Sequence, residues 1–370
     1  MKEFLSGLFK RLIKGWGWTL LILLAVAIKW VSLYPEWIEK NYTYGIYPVI
    51  SRILRFLFGW VTFSIGDLFY GFVIVVIIVK TFRLLRALFQ KKISRSFLLK
   101  GLKQLLFISL FIYVFFNLLW GLNYNRIGIA KQLGLEMKKY SEGQLDTLTI
   151  TLEKRLNEYV LLSNSSQRDS FYKKRNLFRE SDSAYVAASK IYPFLTYNSR
   201  SIKPSLFSYA GNVLGFQGYY NPFSGEAQVN TTVPVFTQPF IACHEIGHQL
   251  GYGKENEANF AGFLACRAHP SAAFKYSVYL DMYQYTIREL YRRDTINAKA
   301  SFNRLDPLVK KDFEEIRKFF AKYENPIEPV ITWFYSNYLK ANDQPLGRET
   351  YNQVVAFLIA YQRKFGADSL

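Results

Sequence analysis

Up to about residue 123 the apolar residues of this chain run together, and beyond it they recur at helical spacing between charged positions. Three of the runs are long enough to cross a bilayer as a helix of about twenty residues, near 15–34, 62–79 and 104–123. Trp16 and Trp18 flank one end of the first run, and Trp30 and Tyr34 the other, as aromatic belts do at membrane surfaces. Lys29 lies near the outer end, where its long side chain can reach the headgroups. The second run contains the unbroken stretch FVIVVIIV at 72–79. A cleaved signal peptide does not account for the first run, because two more follow and no small-residue cleavage site is evident. Between the first two runs, 46–60 sets Arg52 and Arg55 on an otherwise apolar segment. It reads as a helix in the membrane interface or as a tightly packed helix, and the pattern leaves both open. Asp67 is an ionisable group at membrane depth, or one that sits in the headgroup layer.

After the third run, 140–162 has helical spacing and starts at a plausible cap, Ser141. Residues 165–180 are polar and read as loop or frayed helix, and 181–191 as a helix stopped by Pro193. The segment 211–234 changes character: its Gly, Asn, Pro and aromatic residues predict strands joined by turns at Asn221-Pro222 and Ser224-Gly225. Helical spacing returns over 272–293, 307–323 and 349–365. The expected fold class is a mainly α membrane protein. Three transmembrane helices (residues 1–123) precede a mostly helical α+β domain, 124–370, with a small β-hairpin or sheet.

Composition agrees with that division. Hydrophobic residues make up 50% of the 370 residues, too many for an ordinary soluble enzyme, while the mean hydropathy is near zero, too low for a chain wholly within a membrane. The formal net charge is +19, but much of the excess lies in segments flanking the apolar runs. The loop between the second and third runs holds Lys80, Arg83, Arg86, Lys91, Lys92, Arg95, Lys100 and Lys103 without one acid, and Lys2, Lys10, Arg11 and Lys14 precede the first run. Both segments are expected in the cytoplasm by the positive-inside rule, which puts 124–370 on the extracytoplasmic side of the membrane. A lipid bilayer is therefore an expected partner. No nucleic-acid motif accompanies the charge, so no nucleic-acid partner is expected. The two cysteines, Cys243 and Cys266, are spaced awkwardly for a disulfide and are expected to be buried free thiols.

Two of the three histidines stand four residues apart around a glutamate, in His244-Glu245-Ile246-Gly247-His248. Positions i and i+4 share a helix face, so both imidazoles can reach one ion while Glu245 reaches a water beside it. The helix is expected to begin near Pro239 and to end at Gly251 or Gly253. A third histidine six residues after His248 would mark a metzincin, but Lys254 stands there. Glu255 and Glu257 remain as the third ligand. Glu257 is favoured, because on a helix starting near 255 it shares a face with Phe260, Ala261 and Leu264 that would pack on the metal helix. Glu255 would then serve the helix N-terminus. His269, before Pro270, is expected to be exposed and without a role.

HEIGH followed by Glu257-Ala258-Asn259 resembles the gluzincin arrangement of zinc metallopeptidases. The resemblance implies a zincin-like domain, Zn2+ held by His244, His248 and Glu257, Glu245 as catalytic base, and Asn259 supporting a ligand histidine. The wider stretch GYYNPFSGEAQVN…PF…CHEIGHQLGYGKENEANF, set after three spans, is similar to an uncharacterised family of bacterial membrane proteins. By analogy the hairpin before the metal helix would align an extended peptide or protein substrate over the zinc. Tyr219, Tyr220, Tyr252 and Tyr351 are candidates for an oxyanion donor, none of them preferred. The function expected is a membrane-anchored zinc metallopeptidase. The alternative is a non-catalytic zinc-binding sensor or envelope scaffold.

Overall fold

The computed structural model describes residues 15–91, 93–163, 165–198, 200–341 and 352–370. The chain divides into two compact units, Met1–Ser51 with Ile65–Arg126, and Arg52–Ser64 with Ile127–Leu370. The loop between the first two apolar runs therefore crosses the boundary expected at residue 123, and its second half belongs with the C-terminal unit.

In the first unit, α1 (Trp16–Val31) is followed by a helical turn at Pro35–Trp37, a π-helical stretch Ile38–Ile46 and α2 (Tyr47–Phe58). The helical run from Pro35 to Phe58 is bent by 101° away from α1. Two helices, α3 (Ile65–Phe89) and α4 (Arg95–Leu119), are long and apolar enough to cross a membrane, and α1 adds a third span only if it is taken together with that bent run. Near the N-terminus of α3 the buried positions are Gly66 and Asp67, residues 71–79 are apolar all round, as suits lipid rather than water, and Lys80, Arg83 and Arg86 follow in its C-terminal part. Ser94 caps α4 by accepting from Phe97 N at 3.1 Å. Trp18 meets Phe107 edge-on at 5.3 Å, joining α1 to α4. A polar cluster closes the far end. Arg126 clamps Glu39 with two hydrogen bonds of 3.0 and 2.9 Å, and Thr43 reaches Asn123 at 3.0 Å.

In the second unit, Ser141 and Gln144 form a reciprocal capping box that starts α5 (Glu142–Leu162). Its buried stripe Leu145, Leu148, Leu152 and Leu156 packs in the core with Phe274, Tyr279 and Tyr283 of α10 (Ala272–Arg293). Before it come α6 (Lys174–Ser189), which begins seven residues ahead of the predicted helix, and the short α7 (Ser208–Leu214) in what was expected to be strand. The sheet has three strands in the order β1-β3-β2. β1 (Ile202–Pro204), which lies outside the predicted strand region, runs parallel to β3 (Glu226–Val229), and β2 (Gly218–Asn221) pairs antiparallel with β3. The predicted turn is present: Asn221 Oδ1 accepts from Phe223 N and Ser224 N at 3.0 and 3.2 Å. Beyond it lie α8 (Gln238–Gln249), α9 (Glu255–Ala268) and α10. Then come α11 (Thr295–Asn303), α12 (Pro307–Ala321), α13 (Glu328–Ala341) and α14 (Asn352–Phe365).

The sheet is locked to the segment Arg52–Ser64 by a buried ion pair. Lys203 Nζ lies 2.5 Å from Glu226 Oε1, with side chains 3% and 0% exposed. Lys203 also donates to the Phe58 carbonyl at 2.7 Å, and Ser64 and Ser224 donate to Glu226 Oε2 at 3.2 and 2.9 Å. Removing one partner strands a buried charge. Glu226→Gln is expected to cost about 3–5 kcal/mol of stability, measured as a lower unfolding midpoint of the purified full chain. Lys203→Met combined with Glu226→Leu should recover part of that loss.

Candidate metal centre

The metal-site helix α8 starts where Pro239 occupies its first turn and ends at Gly251, whose φ of 84° reverses the chain. His244 and His248 lie one turn apart on it, their rings edge to face with centroids 4.7 Å apart. His248 Nδ1 meets the Tyr252 carbonyl at 2.7 Å. With the proton on Nδ1 and donated there, the Nε2 lone pair faces the site. Ligand atoms of His244, Glu245 and His248 all lie within 4.8 Å of one another.

A further carboxylate completes the cluster, and it is that of Glu255. Its Oε2 stands 3.4 Å from His244 Nε2 and its Oε1 3.7 Å from His248 Nε2. Atoms bound at about 2.0–2.2 Å to one tetrahedral centre lie about 3.3–3.6 Å apart, so these separations suit ligands around one ion. Two imidazole nitrogens and a carboxylate are also the donor types that a zinc-like cation takes with one position left open. The side chains present therefore fit a metal ion.

Glu257 is not brought to the histidines. Its carboxylate lies against Gly128, whose φ of 94° and lack of a Cβ make the room. The face of α9 turned to α8 is the one carrying Glu255, Ala258 and Gly262. A Cβ on Gly247 would stand 3.1 Å from the Ala258 carbonyl oxygen, and one on Gly262 would stand 3.1 Å from His244 N. Small residues, rather than the apolar face with Phe260 and Leu264, make the contact, and this rotates Glu255 into the site. Asn259 is one turn from Glu255 on the same face, but its Nδ2 makes no hydrogen bond, so no histidine is supported through it.

Burial and charge tune the cluster. Burial pushes the Glu245 carboxyl up to about 8, and its Oε2 is buried without a hydrogen-bond partner. Burial pushes His248 down to about 4, leaving it neutral. Burial also works against charge on His244, but Glu255, Glu245 and Asp281 outweigh it and lift the imidazolium to about 9. Loading a cation at His244 is then a competition with a proton. Asp281, from α10, was not singled out by the sequence, and burial raises its own carboxyl to about 6.

Tyr252, Tyr219 and His269 make contacts of their own. Tyr252 is fully buried and its hydroxyl donates to Gln132 Oε1 at 2.9 Å. The Tyr219 hydroxyl is 3.0 Å from Ser205 Oγ, and Tyr220 lies on β2, where it pairs with Ala227. Tyr351 lies outside the described residues. His269 is 2% exposed rather than surface-bound. Its ring packs on Phe274 with centroids 4.3 Å apart, and Nδ1 accepts from Ser271 N at 3.1 Å. Cys243 and Cys266 are buried free thiols that interact with each other, because the close crossing of α8 and α9 brings together positions whose spacing in the chain looked awkward.

Sequence reasoning also missed Gln249, whose side chain ties the end of α8 to the sheet. Its Nε2 donates to the Ser201 and Gly225 carbonyls at 3.0 and 2.8 Å, and its Oε1 accepts from the Tyr197 hydroxyl at 2.7 Å. At the other side of the site, β2 crosses Glu245 so closely that a Cβ on Gly218 would stand 2.5 Å from Glu245 Oε1.

Residues 42–359 match the model of a family described as a protein of unknown function (DUF3810), and the chain belongs to that family. No curated protein and no solved structure matches the chain.

Zinc titration of the purified full chain checks the ligand set. Glu255→Ala is expected to weaken binding by more than about a hundredfold, and Glu257→Ala by less than about tenfold. Gly262→Val touches no ligand, yet it needs space held by the His244 backbone. It is expected to weaken binding as well, and unchanged affinity would show that the close helix crossing does not position the site.

Proposed function

We propose that this protein is a membrane-anchored zinc metallopeptidase with a zincin-like C-terminal unit, hydrolysing peptide bonds outside the cytoplasm. The observation that carries this reading is the convergence of His244 Nε2, His248 Nε2 and the Glu255 carboxylate beside the buried, unpaired Glu245 Oε2. A purely structural zinc site has no need of a carboxylate between its two histidines.

His244, His248 and Glu255 would hold the zinc. When bound, the ion supplies Lewis acidity, polarising the scissile carbonyl and making a water easier to deprotonate. Glu245 Oε2 accepts a proton from the attacking water and passes it to the nitrogen of the leaving amine, so the peptide C–N bond breaks without releasing charged fragments into an apolar site. Burial, which raises this carboxyl, strengthens its hold on the proton it takes. β2 is an edge strand that pairs with β3 on one side. A strand at that edge position can offer main-chain groups to an extended substrate by strand addition. Gly218, lacking a side chain where β2 passes Glu245, lets that substrate backbone come close to the base.

The basic residues ahead of α1 and those between the apolar cores of α3 and α4 favour an orientation with the N-terminus in the cytoplasm and the metal-bearing unit on the opposite side. Glu245→Gln in the full chain is the decisive variant. Zinc stoichiometry should stay at the wild-type level while hydrolysis of a denatured-protein peptide pool falls about a hundred- to ten-thousand-fold. A wild-type protein that binds zinc and cleaves nothing would instead mark a zinc-binding sensor or envelope scaffold.

A further inference from the structure

The segment Arg52–Ser64, part of the unit that bears the metal-site residues, is amphipathic in the reverse of the usual sense. Arg55 and Ser64 are buried, at 8% and 0% exposure, while Ile53, Phe56, Leu57 and Trp60 are 54%, 80%, 50% and 80% exposed, and Phe63 is 46% exposed. A helix on a water-soluble surface buries its apolar face and wets its polar one. This one does the opposite, so its outer face needs an apolar partner.

We infer that the face made by Ile53, Phe56, Leu57, Trp60 and Phe63 rests on the lipid bilayer, and that Arg55 ties this support to the end of the metal-site helix. Chain continuity favours lipid over any other occupant. α3, which is apolar enough to span a membrane, begins at Ile65, directly after Ser64. Five residues of extended chain reach at most about 18 Å, so Trp60 cannot lie far from the point where the chain enters the bilayer. The residue types agree. Aromatic side chains with an exposed Arg52 combine apolar area for the acyl boundary with a cation for phosphate headgroups.

The polar side of the same segment is built into the metal-bearing unit. Arg55 Nη2 donates to the Gln249 carbonyl at 2.8 Å, and Gln249 is the residue after His248. Arg55 also lies over the Tyr197 ring at 5.4 Å. Gly225 of the hairpin turn is so close that a Cβ there would stand 3.0 Å from Leu54 Cβ. The segment thus joins the lipid-facing residues to the last turn of α8. Where the peptidase reading holds, the substrates within reach are polypeptides anchored in the membrane or emerging from it.

The test uses the full wild-type chain in nanodiscs of phosphatidylcholine and phosphatidylglycerol that include a lipid with a diazirine on its acyl chain. After photolysis, lipid adducts are mapped by peptide mass spectrometry. The expected result is adducts on residues 53–63 at a yield comparable to that on Phe72 and Ile78 of α3, with Phe56→Ser causing loss of the adduct at position 56. Adducts at 53–63 no higher than in nanodiscs lacking the diazirine, or cross-linking of this segment to a second copy of the chain, would overturn the inference. Lipid labelling does not depend on hydrolysis, so this result and the fate of the peptidase reading can be told apart.

Discussion

The site depends on how closely two helices can approach. α8 and α9 cross over Gly247, Ala258 and Gly262, where a single added carbon would meet backbone atoms at 3.1 Å. At that separation the first residue of α9, Glu255, falls opposite the two histidines, one carboxylate oxygen facing each Nε2. Larger side chains at the crossing would widen the gap and rotate the helix. The ligand set is therefore a consequence of packing between small residues, because a carboxylate has too short a stem to span a wider gap.

The second constraint acts at the end of α8. The orphan carbonyls of a helix C-terminus need partners when they are buried, and Gln249 stands there with its side chain and its carbonyl both in use. The side chain joins Ser201, Gly225 and Tyr197, while the carbonyl accepts from Arg55. The last turn of the metal-site helix is thereby fastened to the sheet and to Arg52–Ser64 at once. The same segment meets the sheet again through Lys203, which bridges the Phe58 carbonyl and Glu226. Buried ion pairs add little net stability, since desolvation offsets most of the attraction. Their strict demand for partners does exclude other placements of the strands, and so fixes β2 beside Glu245.

Electrostatics inside the cluster follow from its exclusion of water. Burial is the largest cause of both the raised Glu245 and the lowered His248, while His244 is pulled the other way by Glu255, Glu245 and Asp281. Two histidines one turn apart on the same helix thus differ in charge at neutral pH. Asp281 contributes from α10, an element that follows the motif by more than thirty residues.

Local chemistry was legible in the amino-acid order. His244, Glu245 and His248 had to share a helix face because four residues make about one turn. Pro239 and Gly251 bounded that helix, Ser141 capped α5, and Asn221 with Gly225 turned the hairpin, since each is a property of neighbouring residues. The apolar runs that became α3 and α4 were equally plain. What chain order left undecided was every choice between faces. Glu257 and Glu255 differ by some 200° around one helix, and which faces inward is set by Gly247 and Gly262 meeting across a distance no local pattern encodes. β1 escaped notice because three residues carry no periodicity, and its parallel partner lies more than twenty residues away. Whether Arg55 faced the membrane surface or a packed interior stayed open until its carbonyl partner in Gln249 appeared. The sequence determined which groups could do chemistry, through spacing along one helix. The tertiary structure decided which of them meet, because that depends on packing between helices distant in the chain.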